Sequence, residues 1–327
     1  MIISRTPLRV SFFGGGTDIA GYYQSNGGGA VLSTTIEKYF YVIVKKRFDD
    51  KIRVSYSSLE MVDRLDDLHH ELVRESLRRV GVKKGIEIAT MSDIPSEGCG
   101  LGSSSSVTVG LLSALHRYKG KDETPPVLAR MACEIEIDIL GKPIGKQDQY
   151  AAAFGNMNVI RFLPDGQVIV EHLTIDETLK SRLNSNLLLF WTGTTRKAEE
   201  ILTEQVANIP RRIESLNGMK DMVYEGKEML AKGYLDDFGR LLHQAWELKK
   251  RQATKITNDV VDEVYLRARE AGALGGKLTG AGGGGFLLLY CPRAKQKDVR
   301  QALSSLRELP FRFEREGSRV VLDMRTG

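Results

Sequence analysis

"GCGLGSSSSVTVGLLSALHRY", Gly98 to Tyr118, is the stretch on which the reading of the fold turns. Three glycines, Gly98, Gly100 and Gly102, alternate with Cys99 and Leu101, and four serines follow: Ser103, Ser104, Ser105 and Ser106. Val107, Leu111, Leu115 and Tyr118 then recur at helical spacing, so a helix begins among the serines. The first turn of a helix carries N–H groups without intrahelical partners and a partial positive charge. A serine there can simply cap the helix. One cap needs one serine, however, and the glycines leave the approach bare of side chains. Bare backbone ahead of free N–H groups is suited to seating a phosphate, and a hydroxyl at the same place can ligate Mg²⁺. Cap and phosphate seat both follow from these residues.

The loop is outside the commoner phosphate-binding classes. In "AGALGGKLTG", Ala271 stands where a Walker A motif needs its first Gly, and Leu278 where it needs Ser or Thr. "GAGGGG", 280–285, matches Gly-x-Gly-x-x-Gly but precedes a strand instead of opening a helix, so a dinucleotide fingerprint fails on context.

The whole chain sets the frame. Its 327 residues favour two domains, and a net charge of +5 makes no case for nucleic acid. Cys99, Cys133 and Cys291 are odd in number and far apart, which argues against a disulfide framework and for a reducing compartment, the cytoplasm. Neither Cys-x-x-Cys nor His-x-x-x-His spacing occurs. The start, "MIISRTPLRVSFFGGG", lacks the pattern of a signal peptide, and no apolar run of about 18 residues predicts a membrane span.

Strand-like segments such as "LRVSFF", "YFYVIVKKRF" and "GIEIATMS" fill the first part, with helices expected over 65–80, 103–118 and 125–140. The polar stretch 174–186 reads as a boundary, giving domains 1–178 and 179–327. Beyond it come a buried strand "NLLLFW", helices over 196–209, 211–250 (broken near Gly233) and 258–273, a buried strand "GFLLLYC", a helix, and a closing strand or hairpin. The pattern predicts an α+β fold.

Three carboxylates stand out. At about 100° per residue, Leu128, Met131, Ala132, Ile135, Ile139 and Leu140 share one face of the helix 125–140, opposite Arg130, Glu134 and Asp138. Glu136 falls inside the apolar arc, where an unpartnered carboxylate is costly. It is either half of a structural ion pair or a metal ligand. Asp148 sits among small residues after Gly141, as a turn residue or as a group that meets a substrate hydroxyl. Asp18, after "FFGGGT", caps a short helix or binds substrate.

Together, "PLRVSFFGGGTD" (7–18), "PSEGCGLGSSSSVT" (95–108) and "KLTGAGGGGFLLLY" (277–290) resemble the three motifs of the superfamily of galactokinase, homoserine kinase, mevalonate kinase and phosphomevalonate kinase. The resemblance implies a ribosomal S5 domain 2-like N-terminal domain, a ferredoxin-like C-terminal domain, ATP and Mg²⁺. It implies ATP phosphates on Gly98, Gly100, Leu101, Gly102 and Ser103 to Ser106, with Ser104 and Glu136 as Mg²⁺ ligands. Asp148 maps to the catalytic Asp, although this sequence has one extra residue between Gly145 and it. Arg9 stands where several members place a Lys near the transferring phosphate. Asp18, with Gly15, Gly16, Thr17, Gly282 and Gly283, maps to substrate contacts.

"GKQDQYAAAFGN" and "WTGTTRKAEEIL" are most similar to the heptose kinase branch. That branch phosphorylates the anomeric oxygen of a heptose 7-phosphate, giving a 1,7-bisphosphate. The 7-phosphate would need cationic partners, for which Arg196 and Lys146 rank ahead of Lys142 and Lys197. A free-sugar kinase (fucose, galactose or mannose type), a decarboxylase and a non-catalytic sugar sensor are the alternatives. The partners expected are thus ATP and a small sugar phosphate, with no nucleic acid and no membrane.

Overall fold

The computed structural model describes residues 1–94, 98–194 and 198–325. The chain begins β1 (Ile2–Phe13), α1 (Ala20–Tyr23), β2 (Gly29–Lys46), β3 (Ile52–Ser55), β4 (Leu59–Val62), α2 (Glu71–Val80) and β5 (Ile86–Ser92). Next come α3 (Ser103–Tyr118), α4 (Pro125–Cys133), α5 (Gln147–Phe154), β6 (Met157–Phe162) and β7 (Val168–His172). Then follow α6 (Glu177–Ser185), β8 (Leu187–Trp191), α7 (Ala198–Asn208), α8 (Ile213–Lys232), α9 (Leu235–Lys250) and α10 (Asp259–Glu270). The chain closes with β9 (Gly275–Leu278), β10 (Phe286–Tyr290), α11 (Gln296–Ala302), β11 (Arg307–Glu308) and β12 (Arg319–Asp323).

The larger sheet runs β12-β1-β2-β5-β3-β4, with β6 and β7 branching from β2. The branch is possible because β2 is 18 residues long. Its first part pairs with β6 and its last part with β5. Helix α3 packs on β1 and β2, which places its N-terminus beside Arg9. The smaller sheet, β11-β8-β10-β9, is antiparallel and lies against α9. One apolar cluster joins the two sheets. Phe12 and Phe13 of β1 meet Phe238 of α9 edge-on, at ring-centroid distances of 5.3 and 5.0 Å, and Leu189 and Leu288 belong to the same cluster. Edge-on aromatic pairs contribute beyond their buried area, so the seam between the sheets is firmly packed where the cleft opens.

Several local expectations change. The stretch 174–186 holds α6, capped by Asp176, whose carboxylate accepts from the N–H groups of Thr178 and Leu179. A polar composition described a half-exposed helix as well as a linker. Helix α2 starts at Glu71 rather than near Leu65, behind a single 3₁₀ turn. β9 was hidden in sequence by its glycines, which are depleted in strands. The expected division between residues 178 and 179 falls inside α6, so we propose the domain boundary just ahead of that helix, except that β12 pairs with β1 and so returns to the first sheet. Among the described residues, no helix is long and apolar enough to cross a membrane.

Candidate active site

A cleft of about 670 Å³ opens where β1, α3, α5, α9 and β9 come together. Its first wall is the glycine–serine loop. Gly98, Gly100 and Gly102 all have positive φ (66°, 76° and 78°), the left-handed region that favours glycine. Gly100 is also crowded: a Cβ there would lie 2.4 Å from the carbonyl oxygen of Thr279. The N-cap of α3 is Gly102, with no side chain bonded to the helix end, so the serines do not cap. Each does something else. Ser103 Oγ lies 2.9 Å from Cys99 Sγ, and Ser106 Oγ donates to the Pro7 carbonyl at 3.0 Å. Ser104 Oγ and Ser105 Oγ donate to the two oxygens of Glu136, at 3.3 and 2.8 Å. Gly98, Gly100 and Gly102 to Ser105 line the cleft. Leu101 is in the core, and Ser106 is turned to β1, so neither presents its side chain to a ligand.

Glu136 is wholly buried, as the helical wheel requires. Its carboxylate also accepts from Thr108 Oγ1 at 2.9 Å and from Gln149 Nε2. Burial pushes its carboxyl up; the hydroxyl and amide donors and the more distant Lys142 oppose that shift. Among the described residues no Lys or Arg forms an ion pair with it, so the ion-pair reading lacks a partner. The helix is not regular here: residues Glu134–Ile139 form a π turn, in which the Leu140 N–H reaches the Ile135 carbonyl at 3.0 Å. Such turns are frequent at functional sites. The wider turn rotates the end of the helix, which is why Ile139, placed on the apolar face by a regular wheel, is 55 % exposed. A hydroxyl and an uncompensated carboxylate side by side are hard oxygen donors that fit Mg²⁺.

Across the cleft, Arg9 holds Asp148 with two parallel bonds, Nε to Oδ1 and Nη2 to Oδ2, at 2.8 and 2.7 Å. Asp148 occupies the first turn of α5 and remains partly open to solvent, whereas Arg9 is buried. Asp18 is no helix cap. Its Oδ1 accepts from the Gly16 N–H at 3.0 Å and its Oδ2 from the Gln147 N–H at 3.2 Å. Burial raises its carboxyl, and the neighbouring charge of Asp148 adds to that. Gly15, Gly16 and Asp18 line the cleft beside Asp148.

Other expected contacts lie elsewhere. Thr17 braces its own loop, its hydroxyl donating to the Gly14 and Ala30 carbonyls. Lys146 points away: its ammonium donates to the Gly166 carbonyl at 3.0 Å and sits over the Tyr23 ring. Lys142 lines the cleft, paired with Glu71 at 2.8 Å. Gly282 and Gly283 pack on Ile256, the Gly283 N–H donating to its carbonyl, while Gly280 and Ala281 face the cleft. Arg196 and Lys197 lie outside the described residues.

Sequence reasoning missed Lys249 and Lys277, both buried and both lining the cleft. The signal for Lys249 was available: it continues the buried face of α9 through Phe238, Leu242 and Ala245. Lys277 sat inside a quoted motif, in a strand of otherwise small or apolar residues.

Residues 67–156 match the model for the GHMP kinases N terminal domain, and residues 227–308 that for the GHMP kinases C terminal region. A D-glycero-alpha-D-manno-heptose 7-phosphate kinase of Campylobacter jejuni is 31% identical over 97% of this chain and 97% of its own length. A bifunctional fucokinase/GDP-fucose pyrophosphorylase of Arabidopsis thaliana is 29% identical over 67% of this chain and 21% of its own. Among solved structures, a D-glycero-D-manno-heptose 1-phosphate kinase from Bacteroides thetaiotaomicron superposes with a TM-score of 0.82 at 28% identity, covering 99% of this chain and all of that one.

Proposed function

The chain belongs to the GHMP kinases, and from that premise we propose that it phosphorylates the anomeric C1 hydroxyl of D-glycero-D-manno-heptose 7-phosphate. It is a sugar kinase with ATP as phosphoryl donor; the particular sugar and the position of transfer are our reading. The observation that carries it is the convergence of Ser104 and Glu136, 3.3 Å apart, in the same cleft as the Arg9–Asp148 pair.

ATP phosphates lie against the N-terminus of α3, where backbone N–H groups and the helix's partial positive charge meet them. Ser104 and Glu136 would hold Mg²⁺, which neutralises charge on the phosphate oxygens. Asp148, held in position by the Arg9 fork, accepts a hydrogen bond from the C1 hydroxyl and aims its oxygen at the terminal phosphorus. The new C1 O–P bond forms as the bond to the ADP oxygen breaks, and the hydroxyl proton leaves towards Asp148. Arg9 also donates to the Gly100 carbonyl at 2.6 Å, so one guanidinium fixes the spacing between donor loop and acceptor carboxylate. The catalytic contribution is positioning and electrostatics. Asp18, immobilised by two backbone N–H groups, is placed to bind sugar hydroxyls.

A coupled ADP-release assay over heptose 7-phosphate, mannose, galactose and fucose tests this reading, with ³¹P NMR locating the new phosphate. Preferred turnover of the heptose 7-phosphate with a phosphate at C1 is expected. Faster turnover of an unphosphorylated sugar would replace it with the free-sugar reading, and transfer to another carbon would overturn the C1 assignment.

A further inference from the structure

Two lysines of the cleft have no part in the chemistry above. Lys249 is 5 % exposed and Lys277 is 3 % exposed, yet both border the cavity. Each ammonium has three donors but little to give them to. Lys249 Nζ donates to the Gly280 carbonyl, and Lys277 Nζ reaches the Phe12 carbonyl at 3.4 Å. Among the described residues neither forms an ion pair with a carboxylate. Asp18 is already engaged by the Gly16 and Gln147 backbone, and Asp148 by Arg9. Burial lowers both ammoniums, Lys249 to about 8, and each also feels the charge of Arg9; the charge of Asp18, joined at Lys249 by that of Asp148, opposes the shift without reversing it. Lys277 feels that of Lys249 as well. Two like charges sharing a buried wall are costly unless an anion joins them.

Their placement says which anion. Phe12, the acceptor for Lys277, lies at the end of β1 that leads into the Gly14–Asp18 loop, the acceptor side of the cleft. Gly280, the acceptor for Lys249, abuts Gly100, so Lys249 stands between that side and the nucleotide loop. We infer that Lys249 and Lys277 together clasp the phosphate carried by the acceptor sugar and so select a phosphorylated substrate over a free one. This rests on the reading that the acceptor is a sugar phosphate. It moves the anion site from Lys146 and Arg196, the cations that sequence singled out, to two buried ones already facing the cavity.

The test is steady-state kinetics of Lys249→Gln and Lys277→Gln with heptose 7-phosphate, with the same heptose lacking its phosphate, and with ATP. Glutamine keeps a donor for each carbonyl and drops the charge; thermal melts verify folding, and Lys277→Arg and Lys249→Arg test rescue by charge. Loss of a charged contact predicts a rise in KM for heptose 7-phosphate of roughly 10- to 100-fold. KM for ATP and turnover of the unphosphorylated heptose should stay unchanged, with partial recovery in the Arg variants. A rise in KM for ATP instead would assign the pair to the nucleotide's terminal phosphate and overturn the inference. So would an unchanged KM for heptose 7-phosphate in folded variants. If the wild type refuses heptose 7-phosphate outright, the acceptor reading falls first and the inference with it.

Discussion

Arg9 and Asp148, 139 positions apart in the chain, meet as a two-pronged ion pair on opposite sides of the cleft floor. The third donor of Arg9 grips Gly100, so one side chain ties the glycine–serine loop to the carboxylate. Arg9→Lys keeps the charge but loses the planar fork. Misplacement of Asp148 by about 1 Å should lower kcat on the order of 10²-fold. Asp148→Asn should cost about 10²- to 10⁴-fold in kcat, with ATP affinity by calorimetry unchanged in that variant. Wild-type turnover in Asp148→Asn would remove that residue from the reaction.

Glu136 makes a different demand. Its oxygens gather donors from Ser104, Ser105, Thr108 and Gln149 and form no ion pair among the described residues. Glu136→Gln removes the charge at similar size. Thermal melts with a non-hydrolysable ATP analogue, with and without Mg²⁺, read the consequence. In the wild type, Mg²⁺ should add stability, about 2.7 kcal/mol when the ion stands at 100 times its Kd. In Glu136→Gln that increment should vanish. An equal increment in both proteins would return Glu136 to a structural role.

The glycine–serine loop, the helix after it and the position of Glu136 were legible because each rests on local chemistry, bare backbone, helical periodicity and a carboxylate on the wrong face, whereas the three motifs were legible by resemblance. Glu136 was singled out by its angular position, and its expected role came from the resemblance. What stayed hidden depended on contacts between distant segments. Nothing near Ser106 in sequence announces Pro7 as its acceptor, and nothing in "GSRVVLDM" says that Arg319–Asp323 pairs with β1. Lys146 and Lys249 make the contrast plain. The first sits among motif residues yet points to Gly166; the second sits in a helix that was expected but given no role, yet faces the site.

Gly145 offers a test of how tightly the acceptor side is built. A Cβ there would lie 2.0 Å from Asp18 Oδ2 and 2.9 Å from its carbonyl oxygen. Gly145→Ala must therefore displace Asp18, costing roughly 1–3 kcal/mol of stability as overpacking does, and should raise the sugar KM while sparing that for ATP. Gly120 is the control: its φ is 78° and a Cβ there meets nothing within 4 Å. Gly120→Ala carries only backbone strain of about 1–2 kcal/mol and should leave both KM values alone. A normal sugar KM in Gly145→Ala would show that the Asp18 position is not critical to acceptor binding.

The buried ammonium of Lys249 makes stability and affinity depend on pH in opposite ways. Burial first, then the charge of Arg9, brings its pKa from 10.5 to about 8, against the opposing charges of Asp18 and Asp148. Between those values the unfolded chain holds the proton and the folded protein does not, so this group's contribution to stability rises with pH across that window. Below about 8, folding carries the full cost of the buried charge, on the order of 3 kcal/mol. Lys249→Met removes that cost and forfeits the bond to the Gly280 carbonyl, about 1 kcal/mol. Denaturant melts of the ligand-free protein should therefore find the variant more stable at pH 7 by roughly 2 kcal/mol, with the advantage gone by pH 10. Affinity for heptose 7-phosphate in the wild type should move the other way, falling as the pH passes about 8 and the ammonium loses its charge. A variant less stable than wild type at both pH values would mean that the charge of Lys249 carries no net cost in the folded protein.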